Sequence, residues 1–233
     1  MEKHIIDSLD EFLGSRHLWE TLETYLLSKQ TSVKNVLHRG MNFPIHLIKV
    51  GNVVEEWHGS THWSKDFQIA QNFAYDGYIN EEFVEELQEE LSEDIYKSYE
   101  VTEALDLFHP VIFRLKENTK GIDVHSIIEA IQELEKWKKE QEVAFIGVDF
   151  RIESFKYVDG EKPYYLIDVI EVTADKCKWC EGSGIDSEGV LLGNPYPCTD
   201  CRGTGFEHGE EGKKLYFKEM DRVEQRLIAQ GLL

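Results

Sequence analysis

Apolar residues recur at helical spacing near the start of the chain: Ile5, Leu9, Phe12 and Leu13, then Leu18, Leu22, Tyr25 and Leu26. That period predicts helix over about 5–29, broken at Gly14 and Ser15. Residues 33–40 suit a strand ending in a glycine turn at Gly40, and a loop with Pro44 leads to the apolar run 45–50. Phe67, Ala70, Phe73 and Ala74 share one face of a helix over 66–74, for which Ser64 is a natural N-cap. Between Glu81 and Asp106, Phe83, Val84, Leu87, Leu91, Ile95 and Tyr99 keep helical spacing beneath eleven carboxylates and one lysine. We expect a solvated helix face there rather than a functional acidic tail.

From residue 110 the pattern shifts to strands. Residues 110–115 read as one, and Gly121-Ile122-Asp123-Val124 as an extended turn into a helix at about 125–138. Residues 142–147 form another strand, and 150–158 with 164–172 form a hairpin around Asp159-Gly160. A glycine-rich segment with all the cysteines follows at 177–205, and 214–232 closes as a helix.

Composition narrows the class. The 233 residues are 41% hydrophobic and 12% aromatic, enough for a packed core, so wholesale disorder is excluded. No apolar run reaches the roughly 18–20 residues a membrane helix needs. The start, Met1-Glu2-Lys3-His4, leads into an amphipathic stretch rather than a signal-peptide core. Twenty-five Lys+Arg against 45 Asp+Glu give a net charge of −20. Such a polyanion is a poor general binder of nucleic acid or acidic lipid, leaving only a local basic site open. All 4 cysteines lie between 177 and 201, which favours a metal site in a reducing, cytoplasmic setting over disulfides.

Those cysteines form two C-x-x-C knuckles, Cys177/Cys180 and Cys198/Cys201, each followed by Gly-x-Gly. Four thiolates at this spacing close a tetrahedral zinc site, and the glycines let the backbone fold back to donate amides to sulfur. A site whose ligands are all Cys is closed, so its role is folding. The repeat resembles the C-x-x-C-x-G-x-G motif of J-domain chaperone cysteine-rich regions, in two copies. That resemblance implies a zinc ribbon and a protein-contact surface. The His-Pro-Asp tripeptide of a J domain is absent.

Three distant segments carry the chemistry: Leu37-His38-Arg39-Gly40, Ser60-Thr61-His62-Trp63-Ser64, and Glu140-Gln141-Glu142-Val143. In this order and spacing they resemble the R-S-E signature of mono-ADP-ribosyltransferases, over roughly residues 30–172. In that family an Arg-Gly ends an early strand, a Ser/Thr-rich strand feeds a helix, and a Glu-x-Glu turn precedes a late strand. Here His62 stands where a small hydroxyl is usual, and which of Ser60, Thr61 and Ser64 serves the site stays open. The resemblance implies an α+β fold around a split antiparallel sheet and transfer of ADP-ribose from NAD with release of nicotinamide. It assigns Arg39, Gly40, Ser60, Trp63 and Phe73 to NAD, and Glu142, Glu140, Ser64 and Thr61 to catalysis. Arginine on a protein is the leading acceptor and nucleic acid the second.

The residue types suit that chemistry. An arginine can hold phosphate or ribose by a forked, charge-assisted contact. A carboxylate at Glu142 can stabilise positive charge on the sugar, as glycosidases do. Glu140 can orient and deprotonate a guanidinium. Trp57, Trp63, Phe73 and Tyr75 offer aromatic surfaces for nicotinamide. Taken singly, each residue has a plainer reading: a surface ion pair for Arg39, a helix cap for Ser64, solvated ion pairs for the glutamates, core for the aromatics. His58 and His62 lack the intervening glutamate of a zinc protease, and neither a phosphate loop nor a Gly-x-Gly-x-x-Gly fingerprint occurs. The expected organisation is a transferase domain at 1–174 with N-terminal helices and the acidic insertion, a zinc ribbon at 175–206, and a final helix at 207–233 packed on the core. The rival from another class is a catalytically dead, acidic, zinc-containing binding or inhibitor protein. A phage or toxin setting, with a host-modifying or defence role, is a hypothesis that goes with the transferase reading.

Overall fold

The N-terminal periodicity becomes two helices, α1 (Lys3–Ser15) and α2 (Glu20–Leu27), with the chain turning between them. Leu9, Phe12, Leu13, Leu22 and Leu26 bury their side chains in one cluster with Ile122, Val124, Ile128, Leu134, Ala144 and Ile146. The structure is a computed structural model that describes residues 1–54, 60–76, 107–172, 180, 185, 197–199, 201, 202, 204–207 and 209–229. The acidic segment expected as helix at 81–106, together with Trp57, His58 and Cys177, lies outside the described residues. The chain divides into two units, Met1–Glu171 and Val172–Leu233.

Among the described residues the first unit has seven strands: β1 (Leu37–Pro44), β2 (Val53–Val54), β3 (Ser60–Ser64), β4 (Phe108–Leu115), β5 (Glu142–Ile146), β6 (Phe150–Val158) and β7 (Tyr164–Glu171). Their order is β2-β6-β7-β4-β1-β3-β5, with β4 and β7 parallel and the other neighbours antiparallel. The β1–β3 junction is one residue pair, His38 with Ser64, whereas β1 and β4 match over eight. The sheet therefore splits between β1 and β3. Aromatic and β-branched residues from both sides, including Phe43, Trp63, Phe113, Phe145, Phe150 and Ile152, fill a shared core. β5 is apolar on both faces: Val143 and Phe145 enter that core, while Ala144 and Ile146 meet the N-terminal helices. This explains why it reads as a continuous apolar run rather than an alternating one.

Three local expectations change. Gly40 does not end a strand; β1 continues through it to Pro44. A Cβ at Gly40 would sit 1.6 Å from the carbonyl oxygen of Ala70, on helix α3 (Phe67–Asp76), so the glycine lets that helix lie against the strand. The α3 cap is Asp66, whose Oδ1 accepts from the Gln68 N–H at 2.8 Å, and Ser64 is used otherwise. The helix expected at 125–138 is two pieces, α4 (Val124–Ile128) and a 3₁₀ helix (Gln132–Glu140), because Ile131 is extended between them. The 150–172 hairpin forms as expected, closing with Val158 opposite Tyr164.

In the second unit, α5 (Gly209–Ala229) begins five residues before the expected helix start. Phe206 stacks against Tyr216 and Phe217 of that helix at 5.1 and 5.6 Å between ring centres. No helix among the described residues is long and apolar enough to cross a membrane.

Candidate active site

The three segments singled out in the sequence lie on the adjacent strands β1, β3 and β5. Ser64 pairs with Glu142, His62 with Ala144 and Ser60 with Ile146 across β3–β5, while His38 joins β1 to Ser64. At the split they border one cavity of about 400 Å³, lined by Arg39, Gly40, Ser60, His62, Trp63, Ser64, Phe73, Glu140 and Glu142, and also by Arg16 and His38. That volume falls within the roughly 300–1,000 Å³ typical of small-molecule sites.

Strand alternation sorts the hydroxyls. Ser60, His62 and Ser64 face the cavity. Thr61 faces the core, where its Oγ1 accepts from the Trp63 indole N–H at 3.0 Å. Trp63 borders the cavity but is 3% exposed, with Phe150 at 4.8 Å and Phe145 at 6.0 Å between ring centres. Phe73 is 44% exposed at the cavity, the accessible ring among the described aromatics that line it. Tyr75 instead donates its hydroxyl to the Pro163 carbonyl.

Ser64 ties the Glu-x-Glu turn to β3. Its Oγ donates to the Glu140 carbonyl at 2.6 Å and accepts from the Asp66 N–H at 3.0 Å. Gln141, between the glutamates, has a left-handed φ of 48°, and its carbonyl accepts from the Lys65 N–H at 3.2 Å. The turn is thus held by the Ser64 hydroxyl and the Lys65 N–H, and it sends the two carboxylates into different environments.

Glu142 is 3% exposed. Its Oε2 accepts from Arg16 Nη1 at 2.9 Å, and its Oε1 lies 2.9 Å from His62 Nδ1. Burial pushes this carboxyl up, but His62 and Arg16 outweigh it and hold Glu142 below the usual carboxylate range. The His62 imidazole is pushed down, chiefly by burial; Glu142 opposes the shift, while Arg16 and Arg39 add to it. Its Nδ1 has two neighbours, since Arg16 Nη1 is 2.8 Å away. We assign the Nδ1–H tautomer, which donates to Glu142 and leaves Nε2 to accept from Ser60 Oγ at 3.1 Å. Burial, then the neighbouring Glu142 charge, raises Glu140 above the usual range, with Arg16 opposing. The arrangement is one buried carboxylate held below the usual range beside another held above it.

Sequence reasoning gave two of these groups no role. His62 was read as a departure from the hydroxyl motif and as a poor metal ligand, although alternation along β3 places it beside Ser60 and Ser64. Arg16 lies in the break after α1, and nothing local in the sequence links it to residues 140–142.

In the second unit the sulfurs of Cys180, Cys198 and Cys201 lie within 4.8 Å of one another, all buried. Cys180 and Cys201 Sγ are 3.6 Å apart, and the Gly205 N–H donates to Cys201 Sγ at 3.2 Å. A tetrahedral zinc with Zn–S bonds of about 2.3 Å sets its sulfurs about 3.8 Å apart, so the three thiols fit such an ion.

No family model and no curated protein matches the chain. Among solved structures it is similar to the ADP-ribosyltransferase Vis, a toxin from Vibrio splendidus (17% identity, 72% of this chain and 68% of that one, TM-score 0.40). It is also similar to the ADP-ribosyltransferase HopU1 of Pseudomonas syringae pv. tomato (14%, 60% and 47%, TM-score 0.33). A further similarity is to exoenzyme S from Pseudomonas aeruginosa, in complex with human 14-3-3 protein beta and bound to Carba-NAD (12%, 71% and 67%, TM-score 0.35).

Proposed function

We propose that the chain is a mono-ADP-ribosyltransferase that moves ADP-ribose from NAD to a macromolecular acceptor, arginine on a protein being the leading one. The observation that carries this reading is the meeting of Arg39, the Ser60–Ser64 strand and Glu142 at one cavity on adjacent strands. In the reaction the bond between nicotinamide and ribose breaks, nicotinamide leaves with the electron pair, and positive charge develops on the sugar. Glu142, ionised and buried, stabilises that charge and accepts from a ribose hydroxyl. His62, steadied by Ser60, positions Glu142, and Ser64 positions the turn that carries both glutamates. Arg39 supplies charge for the diphosphate, and Phe73 an exposed face for nicotinamide. Thr61 acts through Trp63, as a support for the wall. Glu140 takes the proton from the attacking acceptor.

Cys177, Cys180, Cys198 and Cys201 hold one structural zinc, which supplies cross-linking rather than chemistry. The net charge of −20 disfavours a nucleic-acid acceptor. Labelled NAD incubated with the protein and a cell lysate tests the reading: label passes to protein, and Glu142→Ala abolishes the transfer. Absence of both transfer and NAD hydrolysis with every acceptor would leave an inactive binding protein.

A further inference from the structure

The guanidinium of Arg16 already sits between the two glutamates. Nη1 is 2.9 Å from Glu142 Oε2, and Nη2 is 3.9 Å from Glu140 Oε2. The residue reaches there from an unusual backbone. Arg16 follows the last residue of α1 with a φ of 64°, its N–H bonded to the Phe12 carbonyl at 3.0 Å. This left-handed cap position is the one glycine takes most easily, and an arginine there stores strain that calls for a reason. Its side chain remains one-third exposed, so it has room to move.

A plain structural ion pair would account for one carboxylate. It does not account for a strained arginine engaging the whole Glu-x-Glu pair inside the cavity proposed for NAD. Moreover, Glu142 is the carboxylate needed by the sugar, so Arg16 must release it before NAD can use it. The other carboxylate lining the cavity is Glu140, the group assigned to an acceptor guanidinium.

Resting on the transferase reading above, we propose that Arg16 occupies the acceptor position and is itself an intramolecular acceptor of ADP-ribose. NAD binding displaces Arg16 from Glu142 toward Glu140. As the nicotinamide–ribose bond breaks and nicotinamide departs with its electron pair, an Arg16 guanidino nitrogen forms the new bond to the anomeric carbon. The proton it loses passes to Glu140. Before modification Arg16 competes with external guanidino acceptors; afterwards its ADP-ribose stays in the site.

The test uses the full chain, labelled NAD and agmatine as a small guanidino acceptor. Without agmatine, the protein should gain one ADP-ribose on the peptide containing Arg16, as a linkage cleaved by neutral hydroxylamine. The rate should not depend on protein concentration. Arg16→Lys, which keeps the charge beside Glu142, should lose that adduct. Arg16→Ala should lower the KM for agmatine by about tenfold, the gain expected if the unblocked site is a tenth populated in the parent. Labelling of agmatine with an unmodified Arg16 peptide overturns the internal-acceptor role alone. An adduct rate that rises with protein concentration overturns its intramolecular character. A lower kcat in Arg16→Ala, restored by Arg16→Lys with KM unchanged, makes Arg16 a brace for Glu142 and overturns the proposal. No nicotinamide release by the parent chain or either variant overturns the transferase reading and this inference together.

Discussion

The cavity on the split sheet and the cysteine cluster handle buried charge in opposite ways. At the cavity, Glu142 is 3% exposed and its charge is favoured by neighbouring side chains, Arg16 and His62, beside a space of about 400 Å³. In the cysteine cluster, three buried thiols converge within 4.8 Å of one another, and a cation of the right size would satisfy them. A site meant to work on a substrate supplies its countercharges from the protein and leaves room. A site meant to hold the chain together leaves the countercharge to the metal and closes around it.

The contrast can be broken from either side. The largest effect is expected at Glu142. Glu142→Gln removes the buried charge while keeping the shape, and should lower ADP-ribose transfer on the order of 10²–10⁴-fold, measured as label incorporation per minute. Next comes metal removal. A structural zinc contributes about 10–16 kcal/mol in small zinc-dependent modules, so chelation should release local structure. Amide exchange should accelerate over residues 197–207 while protection in β4 to β7 persists; uniform loss in both regions would erase the distinction. His62→Ala leaves Glu142 Oε1 without its donor and should reduce kcat about 10- to 100-fold, the worth of a hydrogen bond to a charged group.

Smaller effects separate the two glutamates. Glu140 is held above the usual carboxylate range and Glu142 below it. Transfer to agmatine, which needs Glu140 ionised, should therefore fall on acidification before nicotinamide release into water does. Coincident acid limbs in the two pH profiles would refute separate roles. The same raised value affects stability. The folded state binds this proton more tightly than the unfolded chain, so Glu140 contributes stability below its unfolded pKa and loses it as pH rises through the folded value. At neutral pH, Glu140→Gln should thus raise Tm by about 2 °C while lowering transfer; a fall in Tm would mean the charge is better compensated than its surroundings indicate.

How much of this was legible in the chain depends on how local each signal is. The apolar run at 143–146 and the hairpin around Asp159-Gly160 announce themselves because their patterns are short and backed by turn residues. The cysteine knuckles are equally local. The three-part motif became readable only when segments a hundred residues apart were taken together, and it located the cavity without fixing its chemistry. Gly40 looked like a turn because a glycine needed for close helix approach has no separate signature. Ser64 looked like a helix cap because a hydroxyl that can accept from a helix N–H can equally donate to a turn carbonyl, as it does to Glu140. Thr61 was grouped with Ser60 and Ser64, yet the two-residue period of β3 turns it toward Trp63. Arg16 carried no warning at all, since only tertiary packing brings the end of α1 to Glu142.

The most direct test of the central claim is where a non-hydrolysable NAD analogue binds, measured by crystallography of the full chain. The account predicts its diphosphate beside Arg39, its nicotinamide along Phe73, and its nicotinamide-side ribose hydroxyl on Glu142, with Arg16 withdrawn from that carboxylate. An analogue bound away from β1, β3 and β5, or a cavity that stays closed by Arg16 at saturating analogue, would contradict it.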